Sequence, residues 1–100
     1  MRVIALKHIR DFCLKHPQAE QALMAWTQEA RLAHWATPQD IKRRYASASF
    51  VGRNRVVFNI KGNEYRLVVA VAYRFQAVYV KFIGTHSAYD AIDAETVEME

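Results

Sequence analysis

Two hydrophobic periods divide the chain. From Arg55 to Ile83 apolar and polar side chains alternate, whereas before Trp35 apolar residues return every three or four positions. The first pattern predicts strands and the second predicts helices. Arg2 to Ile4 is short and β-compatible, suited to a strand beside the later ones. From Ala5 a helix presents Leu6, Ile9 and Cys13 on one face, flanked by Ala5 and Phe12, until Pro17 stops it. A second helix, from about Gln18 to Trp35, carries the stripe Ala22, Leu23, Trp26, Ala30 and Ala33, with Gln21, Gln28, Glu29 and Arg31 toward water. The two form an antiparallel hairpin with a very short joint.

Thr37-Pro38-Gln39-Asp40 is a helix start: Thr can cap, Pro suits the first helical position, and Asp favours the first turn. The short helix it opens runs to about Tyr45 and carries Lys42, Arg43 and Arg44. A loop over 46–54 follows, with Phe50 and Val51 able to form a brief strand. Arg55–Ile60 and Asn63–Tyr73 then flank Lys61-Gly62, a two-residue hairpin connection whose Gly supplies a positive φ. After a turn at Arg74-Phe75, a third strand runs from Gln76 to Ile83. Alternation places Val56, Phe58, Ile60, Tyr65, Leu67, Val69, Val71, Val78, Val80 and Phe82 on the core face. The other face receives Arg55, Asn59, Glu64, Arg66, Tyr79 and Lys81, with Val57, Val68, Ala70 and Ile83 between them. Thr85 or Ser87 can cap a terminal helix.

The chain has 100 residues, enough for one hydrophobic core and one domain over 1–100. No apolar run reaches the roughly 20 residues a membrane helix requires, and MRVIALKHIRDF lacks the apolar region of a secretory signal. A cytoplasmic location without membrane contact is expected. Cys13 is the sole cysteine, which excludes an internal disulfide and a cysteine-rich metal cluster. His8, His16 and His34 lack the spacing of a metal set, so no metal and no cofactor is expected.

Charge is unevenly distributed beneath the net +4. Lys42, Arg43, Arg44, Arg53, Arg55, Lys61, Arg66, Arg74 and Lys81 face a single acid, Glu64, in that interval; Asp90, Asp93, Glu95, Glu98 and Glu100 follow with no base among them. Basic density of this kind suits a phosphate backbone, and equally a merely solvated basic surface. Arg66 offers a planar fork for a phosphate, Lys81 a point charge, and His86 an imidazole able to serve as general acid or base. Tyr89, three residues beyond His86, can hydrogen-bond a phosphate or stack on a base. Each also has a plain structural use: Arg66 and Lys81 as surface partners of Glu64, His86 as a lone structural histidine, Tyr89 as packing for the terminal helix.

Val57-Phe58-Asn59-Ile60, Gly62-Asn63-Glu64-Tyr65-Arg66 and Thr85-His86-Ser87-Ala88-Tyr89-Asp90 resemble the HigB family of bacterial toxins, RNA-cleaving members of the RelE-like group. The likeness spans nearly the full length. It implies an α+β fold with N-terminal helices on one face of a small antiparallel sheet, RNA on the other face, and a short C-terminal helix. It also implies metal-independent cleavage of mRNA, usually on the ribosome at the 30S A site. The implied partner is a HigA-type helix-turn-helix antitoxin, through which alone operator DNA is contacted. By position, the resemblance makes Arg66 the phosphate clamp, His86 the proton-transfer residue and Tyr89 a site-lining residue; Lys81, on the same face, is expected to join Arg66 in stabilising the charged intermediate, so these four form the expected catalytic group. Asn63 shapes the hairpin, and Asn59, Asn63, Arg55, Tyr79, Lys42, Arg43, Arg44 and Arg53 are the RNA-binding set. Many RelE-like enzymes carry an aromatic or His near the very end of the chain; Glu95 to Glu100 has none. The rival readings are a non-catalytic RNA- or ribosome-binding module and an inactive toxin acting as a corepressor with its antitoxin.

Overall fold

The computed structural model describes residues 1–99; Glu100, the last acid of the tail, lies outside the described residues. The elements are β1 (Arg2–Ile4), α1 (Leu6–Lys15), α2 (Glu20–Leu32), α3 (Pro38–Arg44), β2 (Ser49–Val51), β3 (Arg55–Ile60), β4 (Tyr65–Ala72), β5 (Ala77–Thr85) and α4 (His86–Asp90). One 3₁₀ turn, Pro17–Ala19, leads from α1 into α2, and another, Tyr73–Phe75, joins β4 to β5. A sheet of five strands in the order β1-β5-β4-β3-β2 forms the centre. β1 runs parallel to β5 and the other pairs are antiparallel, so the predicted meander gains a strand on each side.

Trp26 of α2 packs edge-on against Phe58 at 5.2 Å between centroids, and Tyr45 and Trp35 close around the same ring. Ile9, Cys13, Leu23, Trp26 and Ala30 meet Val56, Phe58, Leu67, Val69, Val71, Val78 and Val80 in one core. Thr37 and Asp40 form the capping box that starts α3: Asp40 Oδ2 accepts the Thr37 and Ala36 N–H groups at 3.2 and 2.8 Å. Those two N–H groups, Ala36 first, hold the Asp40 carboxyl below its ordinary pKa.

Two features of the sheet depart from the predicted register. The β3–β4 connection spans four residues, because Ile60 pairs with Tyr65; Lys61 and Gly62 take the left-handed conformation, at φ 53° and 65°. A shift of two residues preserves the faces, so the core face survives it. The second departure does not. Val69 pairs with Val80 but Val68 pairs with Phe82, so Lys81 is the extra residue of a β-bulge. Beyond it the alternation inverts. Ile83, expected on the outer face, joins the core, and Phe82, expected in the core, turns outward and is half-buried.

The outer face is itself partly covered. Residues 91–99 return across it after α4: Arg55 Nη1 donates to the carbonyls of Ala94 and Val97 at 3.0 and 2.6 Å. Arg55 Nη2 meets the Glu98 carboxylate at 2.6 Å, and the same carboxylate accepts from Lys81 Nζ at 2.7 Å. Beneath this strap Val57 and Val68 are as buried as core residues.

Candidate active site

β3, β4 and β5 align three residues across the sheet: Asn59 pairs with Arg66, and Arg66 pairs with Gly84. Arg66 is only 8% exposed. Its Nη2 donates to Asn63 Oδ1 at 2.9 Å, and its Nη1 to the carbonyls of Asn63 and Tyr65, both at 3.2 Å. The longer turn makes this possible, since Asn63 stands in the loop rather than in the ladder and can face back to the arginine three residues on. A guanidinium fixed in this way has lost its rotamer freedom before any anion arrives. It also lies over the Tyr89 ring, 5.9 Å from the centroid.

His86 begins α4 directly after β5. Its N–H donates to the Glu64 carbonyl at 3.0 Å, which ties the start of the helix to the β3–β4 turn. Thr85 is the cap, its Oγ1 accepting the Ala88 N–H at 3.1 Å. His86 Nδ1 lies 3.2 Å from Asp90 Oδ2 one helical turn later, and the imidazole is half exposed. In the sequence Asp90 is only the end of the Thr85 to Asp90 motif and the first acid of the tail, and the i,i+4 spacing of a helix is the signal that lets it reach His86. The half-buried Tyr89 ring stands 6.3 Å from Phe82. Arg66, Asn63, His86 and Tyr89 are thus gathered at one end of the sheet, with Asn59 beside them.

The remaining candidates lie elsewhere. Arg55 pairs with Ala70, and Ala70 with Tyr79, four residues along β3 and β4, and five along the bulged β5, from the Asn59, Arg66 and Gly84 row, or roughly 13 Å. Arg55, expected to contact RNA, is 4% exposed and its guanidinium is engaged by the tail; it anchors residues 94–98. The acidic strap supplies the reason, by covering a basic residue that alternation alone leaves in solvent. Lys81 occupies the bulge and is held by Glu98, whose carboxyl is kept below its ordinary pKa by the hydrogen bonds from Lys81 and Arg55. Glu64 has left the sheet for the turn, where it faces Lys61 at 3.7 Å.

On α3, Lys42 donates to the Ala48 carbonyl, Arg43 approaches Asp40 at 3.5 Å, and Arg44 pairs with Glu29. Glu29 also accepts from the Tyr45 hydroxyl; that bond, more than Arg44, holds the carboxyl low, while burial and Glu29 together raise the phenol. Arg53 projects from the β2–β3 turn and is exposed. No three His, Cys, Asp and Glu side chains gather as a metal set among the described residues.

A family model described as the RelE-like toxic component of a toxin-antitoxin system, HigB_toxin, matches residues 19–92. The chain belongs to this family. The matched span contains Arg66, His86 and Tyr89, while the tail residues that hold Arg55 lie beyond it. Over 97 residues the chain is 29% identical to the mRNA interferase toxin HigB of Escherichia coli K12, covering 94% of this chain and 92% of that protein. The mRNA interferases HigB of Escherichia coli O157:H7 and of Shigella flexneri match with the same identity and coverage. An α+β fold with N-terminal helices, a small sheet and a short C-terminal helix agrees with a RelE-like toxin, and toxin-antitoxin membership implies an antitoxin partner. Among the described residues no helix is long and apolar enough to cross a membrane.

Proposed function

We propose that this HigB-family toxin is an endoribonuclease that cleaves mRNA through the group formed by Arg66, Asn63, His86 and Tyr89. The observation that carries the reading is Arg66: a nearly buried guanidinium, oriented by Asn63 and set between the β3–β4 turn and the helix that opens with His86. A preorganised cation beside a half-exposed imidazole suits charge that develops on a phosphorane. The ribose O2′ gives up its proton to solvent water as it attacks the adjacent phosphorus, and the P–O5′ bond breaks, leaving a 2′,3′-cyclic phosphate and a 5′-hydroxyl. Arg66 stabilises the equatorial oxygens, and His86 donates a proton to the leaving O5′. Lys81 adds its charge only when Glu98 releases it. These groups supply positive charge and a proton donor without a metal ion. The names of the mRNA interferases that the chain resembles support the same activity.

In this reading the partner is a HigA-type helix-turn-helix antitoxin, operator DNA is contacted only through it, and the site of action is the translating ribosome in the cytoplasm. The side chains of Arg53 and of Arg43, exposed although Arg43 lies 3.5 Å from Asp40, are the cations offered for docking on ribosomal RNA, since Lys42 and Arg44 are partly engaged within the fold. The deciding experiment is transcript cleavage by Arg66→Ala and His86→Ala, each checked by circular dichroism and by co-purification with the antitoxin. Both variants should stay folded and bound yet lose cleavage. Full activity in His86→Ala removes the proton-transfer role, and folded wild-type protein that binds ribosomes without cutting RNA establishes a non-catalytic module.

A further inference from the structure

The geometry points to Phe82 as a nucleobase-stacking residue beside the scissile phosphate, an assignment that rests on the ribonuclease reading above. Three independent features bring the ring there. The bulge at Lys81 inverts the alternation of β5, so Phe82 stands on the same face as Arg66 instead of in the core. Gly84, which pairs with Arg66, leaves the space that the ring occupies: a Cβ on Gly84 would sit 2.5 Å from Phe82 Cζ and 3.3 Å from Ala88 Cβ. Finally, the ring lies 6.3 Å from Tyr89 at an interplanar angle of 55°, and Tyr89 in turn lies under the Arg66 guanidinium.

The result is a ledge of two half-buried aromatic rings whose inner end is the phosphate-binding cation. Single-stranded RNA presents its bases to such surfaces, because every base has a π face and stacking tolerates sequence. A phosphate on Arg66 leaves its neighbouring nucleotide within reach of the Phe82 ring, two positions from Gly84 along β5. Stacking there fixes the nucleotide's torsions and so helps align O2′ with phosphorus. The competing use of Phe82 is packing α4 onto the sheet, which a leucine of comparable apolar volume also performs.

The test is binding of a short 2′-O-methyl oligoribonucleotide, which lacks the attacking hydroxyl, alongside copies in which each position in turn is abasic. For wild type, loss of one particular base should weaken binding about tenfold. Phe82→Leu should bind the intact oligonucleotide about tenfold more weakly and show no further penalty at that position, whereas Phe82→Tyr should behave as wild type. Gly84→Ala, which displaces the ring without removing it, should reproduce the Phe82→Leu result and serves if the leucine variant fails to fold. An abasic penalty in Phe82→Leu and Gly84→Ala equal to that of wild type overturns the assignment. Wild-type protein that cleaves transcripts while both variants bind as it does refutes the stacking role alone; wild-type protein that neither cleaves nor binds refutes the ribonuclease reading with it.

Discussion

Replacing Arg55 by Ala tests whether the C-terminal strap is part of the folded domain. The guanidinium is 4% exposed and gives two hydrogen bonds to main-chain carbonyls, at 3.0 Å to Ala94 and 2.6 Å to Val97. A hydrogen bond from a charged donor contributes about 1.5–3 kcal/mol. Because the freed carbonyls can turn to water, the lower value applies to each, giving about 3 kcal/mol for the pair. That is a large share of the 5–15 kcal/mol or so that holds a typical domain together. For about 100 residues each kcal/mol moves the melting midpoint by about 4–8 °C, so Arg55→Ala should melt about 12–24 °C below wild type. Glu98→Gln leaves both carbonyl bonds in place and alters only an ion pair whose carboxylate is exposed to solvent, so its shift should be far smaller. Thermal unfolding followed by circular dichroism measures both, and amide exchange at Val97 reports whether the strap has come loose. Arg55→Ala melting within a few degrees of wild type would show that the tail is not held as the contacts suggest. A Glu98→Gln variant as destabilised as Arg55→Ala would move the weight from the carbonyls to the ion pair.

The tail contact should also be pH-sensitive. Glu98 has a lowered folded pKa, so its contribution is fully present above the ordinary carboxylate value and is lost as pH falls through the lower folded one; exchange at Val97 that is unchanged on acidification below about pH 4 contradicts this. Asn63→Ala should leave the fold intact but free the Arg66 fork, lowering cleavage about tenfold or more through kcat, with charge-independent binding contacts spared; kinetics on a defined transcript measure it, and unchanged kcat removes Asn63 from the positioning role. Cleavage should survive EDTA and yield 5′-hydroxyl ends; end-labelling that finds 5′-phosphates, or rescue by magnesium, shows the mechanism to be wrong. Arg43→Glu with Arg53→Glu, both exposed, should weaken ribosome co-sedimentation most at low salt while leaving the cleavage site unaltered; sedimentation like that of wild type at every salt concentration sinks the docking proposal.

The amino-acid sequence alone determined the core face of the sheet up to Val80, because strand side chains alternate strictly and only one alternation of Val56, Phe58, Leu67, Val69, Val71 and Val78 is wholly apolar. It also determined where α1 stops and α3 starts, since Pro17 and the Thr37 to Asp40 box act within a single turn of chain. Arg66, His86 and Tyr89 could be singled out because a cation, an imidazole and a phenol keep their chemistry in any fold. Their assembly with Asn63 depended on a turn of four residues rather than two, and a two-residue difference leaves the facial pattern unchanged and so leaves no trace in it. Phe82 and Ile83 show the same limit. Both are apolar, so either register buries a large side chain, and only the pairing of Val68 and Val69 across to β5 decides which one turns outward. The strap was least legible of all. Its apolar residues, Ile92, Ala94 and Val97, follow neither period, and the charge pattern by itself does not decide whether the acids around them cover the basic face. What fixes the strap is a main-chain contact with Arg55 some forty residues earlier, and contacts of that range are set by how the whole sheet closes rather than by any local pattern.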